Sequence, residues 1–309
     1  MLNTLLQVYA PLVGWTVVGI VIRRLTIGIP WADPRLLGRL MYWVGVPLGI
    51  IGFLLGTDLS GSEWVAGLMG WVAVALAASL SWVFWRLRGQ QCLTAGQWGS
   101  FQLSAMLGNT GYVGFPLCLA VGGMAYFGWA LFYDMLCTLF SAYGLGVWVA
   151  SRSGKHQLSQ RQVVVNVLRS PALWSFGFGL LLRGIPLPNL LQEGLLRVAW
   201  GLIPVSLIML GMRLGMVETG HRWFQASWPI LIKLILVPAL VAMLLIPLPI
   251  PVMAKLIITL QAGMPPAMAT LVLTEEFELD YELTIGSLAL GYGLSLLTLP
   301  LWILLWGGG

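Results

Sequence analysis

Two short stretches carry residue types suited to holding an anion without a metal or a nucleophile. The first is Asn109-Thr110-Gly111-Tyr112-Val113-Gly114-Phe115-Pro116; the second is Gln261-Ala262-Gly263-Met264-Pro265-Pro266. Glycine loosens a helix and proline removes an N–H donor, so both stretches are expected to interrupt helices. Proline is favoured at a first helical position, so Pro116 and either Pro265 or Pro266 are expected to open second half-helices. Such an amino end offers unpaired N–H groups and about half a positive charge, which favours a carboxylate over a cation. Asn109, Thr110 and Gln261 add side-chain donors beside the breaks. In the plainer reading Asn109 and Thr110 only cap a half-helix, Gln261 bridges neighbouring helices, and the breaks are packing kinks.

Asp134 is the one acidic residue expected deep in an apolar segment. An ionisable group in lipid is costly and marks function by default, here uptake of a coupling proton. A hydrogen-bonded structural Asp is the competing reading.

The elements that position these residues must be membrane helices. From Gly89 to Tyr133 the chain has no Lys, Arg, Asp or Glu. Hydrophobic residues make up 59% and charged residues 9% of 309 positions, against about 25% charged in a soluble domain. The mean hydropathy is +0.89. An all-α polytopic protein follows, with about ten spans near 4–22, 37–56, 64–85, 98–121, 125–149, 168–182, 193–212, 227–247, 253–273 and 283–306. The first span has no basic leader or cleavage site and reads as retained. If the spans alternate, one side receives Arg23, Arg24, Arg35, Arg39, Arg86, Arg88, Arg152, Lys155, Arg161, Arg169, Arg213 and Arg222. Lys233 lies just inside span eight on that side, and only Arg183, Arg197 and Lys255 fall on the other. The positive-inside rule makes the rich side cytoplasmic and places both termini outside. The net charge of +5 then reports topology and contact with anionic membrane lipid, not nucleic acid.

Three echoes recur in order. Gly28-Ile29-Pro30 matches Gly184-Ile185-Pro186, Trp43-x-x-x-Pro47 matches Trp200-x-x-x-Pro204, and Gly114-Phe115-Pro116 matches Gly263-Met264-Pro265. They describe two five-span repeats, 1–150 and 151–309, with broken crossing helices four and nine. An odd number of spans per repeat turns the second half upside down, as in many transporters.

Other chemistry is thin. Cys92, Cys118 and Cys137 show no C-x-x-C spacing, and His156 and His221 fall in loops. No metal set, cofactor site, phosphate-cradling loop or nucleophile–base pair is expected, so an intramembrane enzyme ranks last.

The Asn109-Thr110-x-x-x-Gly114-x-Pro116 pattern, Pro204-Val-Ser-Leu-Ile-Met-Leu-Gly211 and the Ala262–Pro300 region, ending Leu299-Pro300-Leu301-Trp302, resemble the auxin efflux carrier family. That family lies in the bile/arsenite/riboflavin transporter superfamily and includes plant PIN-type carriers and bacterial organic-acid permeases. The resemblance implies ten spans, external termini and a substrate held where two helices cross. It also implies a scaffold of spans 1, 2, 6 and 7, which in relatives can dimerise, and a moving unit of spans 3–5 and 8–10. The central loop, roughly Ser151 to Gln162, is short, so the bacterial-type permeases are nearer than the plant carriers.

Pro47 and Pro204 are expected to bend scaffold helices. Gly45/Gly49, Gly52/Gly56 and Gly211/Gly215 make small-residue faces for close helix packing, within the chain or in a homodimer. Glu275, Glu276, Glu278, Asp280 and Glu282 read as a solvated turn partnered by Arg, or as a sensor of protons or cations. Trp31, Trp64, Trp98, Trp223 and Trp228 are expected in interfacial belts. The expectation is a plasma-membrane secondary carrier of a small organic anion, with a proton as coupling ion. Its rivals are a sodium symporter of bile-acid type and a membrane receptor that moves nothing.

Overall fold

The computed structural model describes residues 2–26, 34–57, 59, 61–89, 93–155, 161, 165, 168–215 and 222–307. Gly28-Ile29-Pro30, Trp31, Cys92, His156 and His221 lie outside them, as does most of the central loop.

Among the described residues the chain is helical, without strands. The α-helices are α1 (Leu2–Leu25), α2 (Pro34–Leu40), α3 (Val46–Gly56), α4 (Trp64–Phe84), α5 (Ala95–Met106), α6 (Phe115–Tyr133) and α7 (Val147–Ser153). They continue as α8 (Pro171–Leu182), α9 (Asn189–Leu214), α10 (Trp223–Leu231), α11 (Val237–Leu245), α12 (Val252–Ala262), α13 (Ala269–Glu276) and α14 (Tyr281–Gly307). Wider π-helical turns join several into longer rods: Met41–Gly45, Trp85–Gly89, Thr110–Gly114, Asp134–Thr138, Ser141–Gly146 and Ile232–Leu236. Six described rods are long and apolar enough to cross a membrane: Leu36–Gly56, Trp64–Leu87, Thr110–Ser153, Asn189–Leu214, Trp223–Leu245 and Tyr281–Trp306. This is a multi-pass membrane protein.

The Thr110–Ser153 stretch has 44 residues, twice what a bilayer needs. It doubles back at Gly123, whose φ of 63° only glycine adopts without strain. The ring centroids of Phe115 and Phe127 are 5.2 Å apart, whereas twelve residues of straight helix would separate them by about 18 Å. The boundary expected between 121 and 125 therefore falls at Gly123.

Two packed groups stand out. Helix α9 packs extensively against α1 and α3, and α3 against α8, while α4 to α6 pack with α10 to α14. In the first group glycine permits the close approach. A Cβ on Gly211 would stand 1.9 Å from the Thr16 carbonyl of α1, and one on Gly52 would stand 2.4 Å from the Leu195 carbonyl of α9. The small-residue faces containing Gly52 and Gly211 thus serve packing inside the chain. In the second group Phe84 stacks on Phe101 at 5.0 Å and meets Trp228 at 5.2 Å. Trp98 stacks on Phe101 at 5.8 Å. Trp98 and Trp228 are therefore inter-helix packing residues, while Trp64 and Trp223 are exposed.

Candidate functional site where two broken helices cross

Helix α5 starts at a capping box, Thr94 with Gln97. It stops at Met106, where Leu107 turns extended (φ −92°, ψ 112°). Helix α12 stops at Ala262, with Gly263 as its C-cap. The two chains then run antiparallel past each other, Gly108 paired with Pro266. The Asn109 N–H donates to the Pro265 carbonyl at 2.8 Å, and the Ala267 N–H donates to the Leu107 carbonyl at 2.9 Å. Backbone groups freed inside a membrane need partners. Here each break supplies them to the other.

Past the crossing the first chain resumes as the turn Thr110–Gly114 and then α6, with Pro116 at its start as expected. The second resumes later than expected, at Ala269. Residues before proline are pushed from helical to extended backbone. Pro265 instead offers its carbonyl to Asn109 across the crossing. The Thr110 and Gly111 amides precede the first internal bonds of their turn, which the Val113 and Gly114 N–H groups donate to the Asn109 carbonyl. Those two amides are the orphan donors of a helix start.

The side chains converge on the same point. Asn109 Oδ1 accepts from the Tyr112 N–H at 3.1 Å, and its Nδ2 donates to the Tyr292 hydroxyl of α14. The Thr110 hydroxyl donates to Asp134 Oδ1. Gln261 Nε2 donates to the Thr110 carbonyl at 3.4 Å and the Ala130 carbonyl at 3.3 Å. Its Oε1 is buried and unpartnered. Gly114 must be a glycine for Gln261 to sit there, since a Cβ would lie 2.1 Å from that Oε1. Gly111 faces Asp134 with no side chain between them. Asn109, Thr110, Gln261, Gly263, Pro265 and Pro266 are buried, while Gly111, Tyr112 and Asp134 keep partial exposure. The structure thus brings Asn109, Thr110, Gly111, Gly114, Gln261, Gly263, Pro265, Pro266 and Asp134 together, with Pro116 closing the group. Asn109 performs the capping that the plainer reading gave it and still has its amide nitrogen aimed across to another helix.

A residue read from sequence only as a topology marker joins them. Lys233 is 3% exposed, and its ammonium donates to the Met106 carbonyl at 3.5 Å. A Cβ on Gly108 would come within 3.0 Å of its Nζ. The carboxyl end of α5 carries partial negative charge, so a cation suits it. The available signal was a lysine inside an otherwise apolar span. Thr110, Asp134 and Lys233 each sit in a π-helical turn, a local distortion often found at functional positions.

Other expected residues lie elsewhere. Pro204 is within the uninterrupted α9, and Pro47 follows the Met41–Gly45 turn into α3. The acidic run is a turn held by basic partners: Lys155 meets Glu278 at 2.6 Å, and Arg222 meets Asp280 at 3.5 Å and Glu282 at 3.4 Å. Cys118 and Cys137 are buried free thiols. Among the described residues no cluster of His, Cys, Asp and Glu could hold a metal. An apolar depression of about 370 Å³ lies away from the crossing, lined by Trp228, Leu231, Leu234, Leu294 and Leu297 among others.

Paired broken helices with donors at their crossing are found in a class of membrane carriers. The family model described as "Membrane transport protein" matches residues 30–303. The chain belongs to that family, the auxin efflux carrier family. It is 29% identical over 275 residues to an uncharacterized transporter of Methanothermobacter thermautotrophicus, covering 87% of this chain and 88% of that protein. It is 25% identical over 279 residues to an uncharacterized transporter of Methanocaldococcus jannaschii, with coverage of 87% and 88%. The protein is a membrane transporter.

Proposed function

We propose that this transporter is a secondary carrier of small organic anions, carboxylates foremost, working by alternating access. The observation that carries the reading is the crossing itself. Two interrupted helices exchange backbone hydrogen bonds, leaving helix-start amides and polar side chains gathered between their broken halves. A carboxylate fits such donors. The first 150 residues and the rest form two inverted repeats of five spans in this reading. The antiparallel pairing at Gly108 and Pro266 supports it. Helices α1, α3, α8 and α9 serve as the scaffold against which the group bearing the crossing moves, and the denser packing within each group than between them supports that division.

Asp134 is the proton-coupling residue in this account. It is the carboxylate nearest the crossing, it is partly exposed, and Thr110 from the broken turn holds it. A solute that pulls Thr110 toward itself weakens that bond and favours the protonated acid. The carrier stands in the plasma membrane with its basic loops cytoplasmic and both termini outside.

Counterflow in proteoliposomes tests the reading. Vesicles preloaded with an unlabelled organic acid should accumulate the labelled acid transiently, in sodium-free buffer as well as in sodium. Binding without counterflow would indicate a receptor, and strict sodium dependence would indicate the bile-acid type of symporter.

A further inference from the structure

The accessible side of the crossing is bordered by a cation that no described acidic group neutralises. Arg213 lies in the last turn of α9, where Leu210 and Leu214 pack against Val113, Met268 and Tyr292. That turn therefore rests on both resumed halves of the broken helices. The guanidinium occupies a slot made by Gly38 of α2, where a Cβ would stand 2.4 Å from Nη2. Tyr112 and Tyr292 lie within electrostatic reach of it, and Tyr42 lies within reach of Tyr112. Tyr42, Tyr112, Asp134, Arg213 and Tyr292 are all partly exposed, in contrast to buried Asn109, Thr110 and Gln261.

The other arginines with described contacts are engaged. Arg183 donates to the Leu54 and Thr57 carbonyls, Arg197 pairs with Glu193, and Arg222 pairs with Asp280 and Glu282. Arg213 forms no such bond among the described residues. A guanidinium keeps its charge at any working pH and presents a fork matched to a carboxylate. A partly buried cation with no acidic partner among the described residues, within reach of Tyr112 in the turn that opens with the orphan amides, can serve as half of an ion pair.

We propose that Arg213 is the scaffold-side contact for the solute's carboxylate, receiving it as it enters or leaves the crossing. The proposal rests on the carboxylate-carrier reading and adds a residue outside the broken helices. Because Arg213 belongs to the α9 group and the crossing to the other, relative movement makes and breaks the contact once per cycle. It therefore sets apparent affinity on one face of the membrane more than on the other.

The test uses purified full-length protein in oriented proteoliposomes with labelled acetate, succinate and benzoate as probes, assayed from each side. For whichever probe the wild type carries, Arg213→Gln should raise KM by ~10- to ~100-fold on one side, the effect of losing a charged hydrogen bond, with a smaller change in kcat. Arg213→Lys, which keeps charge but loses the fork, should fall between. Gly38→Ala, which displaces the guanidinium while leaving it in the chain, should also raise KM on that side. Arg197→Gln, in an exposed pair on the same helix, should behave as wild type. Wild-type KM on both sides in Arg213→Gln overturns the proposal while leaving the carrier reading intact. If Arg213→Gln does not fold, an unchanged KM in Gly38→Ala overturns it equally. A wild type that carries none of the three acids removes the carboxylate reading and this proposal together.

Discussion

Replacing Gly114 with alanine sets two effects of opposite sign against each other. Gly114 has ordinary helical backbone (φ −64°, ψ −46°), so alanine alone should stabilise the helix by up to about 1 kcal/mol. Against this, its Cβ would stand 2.1 Å from Gln261 Oε1 and 3.0 Å from the amide carbon. Both are too short for a non-bonded contact, so the amide must move by more than an ångström. Its bonds to the Thr110 and Ala130 carbonyls, at 3.4 and 3.3 Å, would then be lost. Each bond is worth about 1 kcal/mol, and a displaced buried amide adds about 1–3 kcal/mol. The net expectation is destabilisation by about 2–4 kcal/mol, which for a chain this size lowers the apparent Tm by roughly 4–8 °C. Thermal unfolding of detergent-purified protein reads this directly. The Gln261→Ala background should absorb most of the penalty, giving a coupling of about 2–4 kcal/mol in the double-mutant cycle. A Gly114→Ala protein as stable as wild type, or strictly additive single and double variants, would refute the packing argument.

Asp134→Asn keeps a partner for Thr110 but cannot change charge, so it should retain counterflow and lose acceleration by an imposed proton gradient; gradient-driven uptake that persists removes the coupling role. Gly123→Ala meets no neighbour within 4 Å but forces alanine into φ 63°; the strain should cost about 1–3 kcal/mol, seen as a lower apparent Tm with little change in solute affinity. At the acidic turn, Glu278 raises the proton affinity of Lys155 by hydrogen bonding and charge. That contribution is present at neutral pH and is lost only as alkali deprotonates the lysine. The side chains are 74% and 49% exposed, so Lys155→Met should leave the apparent Tm at neutral pH unchanged, and a clear drop would mean the turn is a structural clasp.

What could be read from the chain followed from strong local physics. Glycine and proline clustered within a few residues of an apolar stretch deprive a helix of both stiffness and a donor, so the two breaks were legible where lone prolines such as Pro204 were not informative. So was the turn between spans four and five, because Gly122-Gly123 interrupts the apolar run there. The restart of the second broken helix at Ala269 was not. It depends on Pro265 giving its carbonyl to Asn109, 156 positions earlier in the chain. Lys233 was visible as a charge in a span, but its seat at the Met106 carbonyl depends on tertiary packing. The same holds for Tyr292 and Arg213, which lie far in sequence from the breaks they border. The π-helical turns carrying Thr110, Asp134 and Lys233 leave no compositional trace, since packing selects them rather than propensity.

The most direct measurement is an experimental structure with a bromine-labelled carboxylic acid, located by anomalous scattering. The account predicts a carboxylate within hydrogen-bonding distance of the Thr110 and Gly111 amides, with bromine toward the partly exposed Tyr112 side. Bromine found only at the membrane-facing surface, with the crossing unchanged and empty under saturating acid, would contradict it.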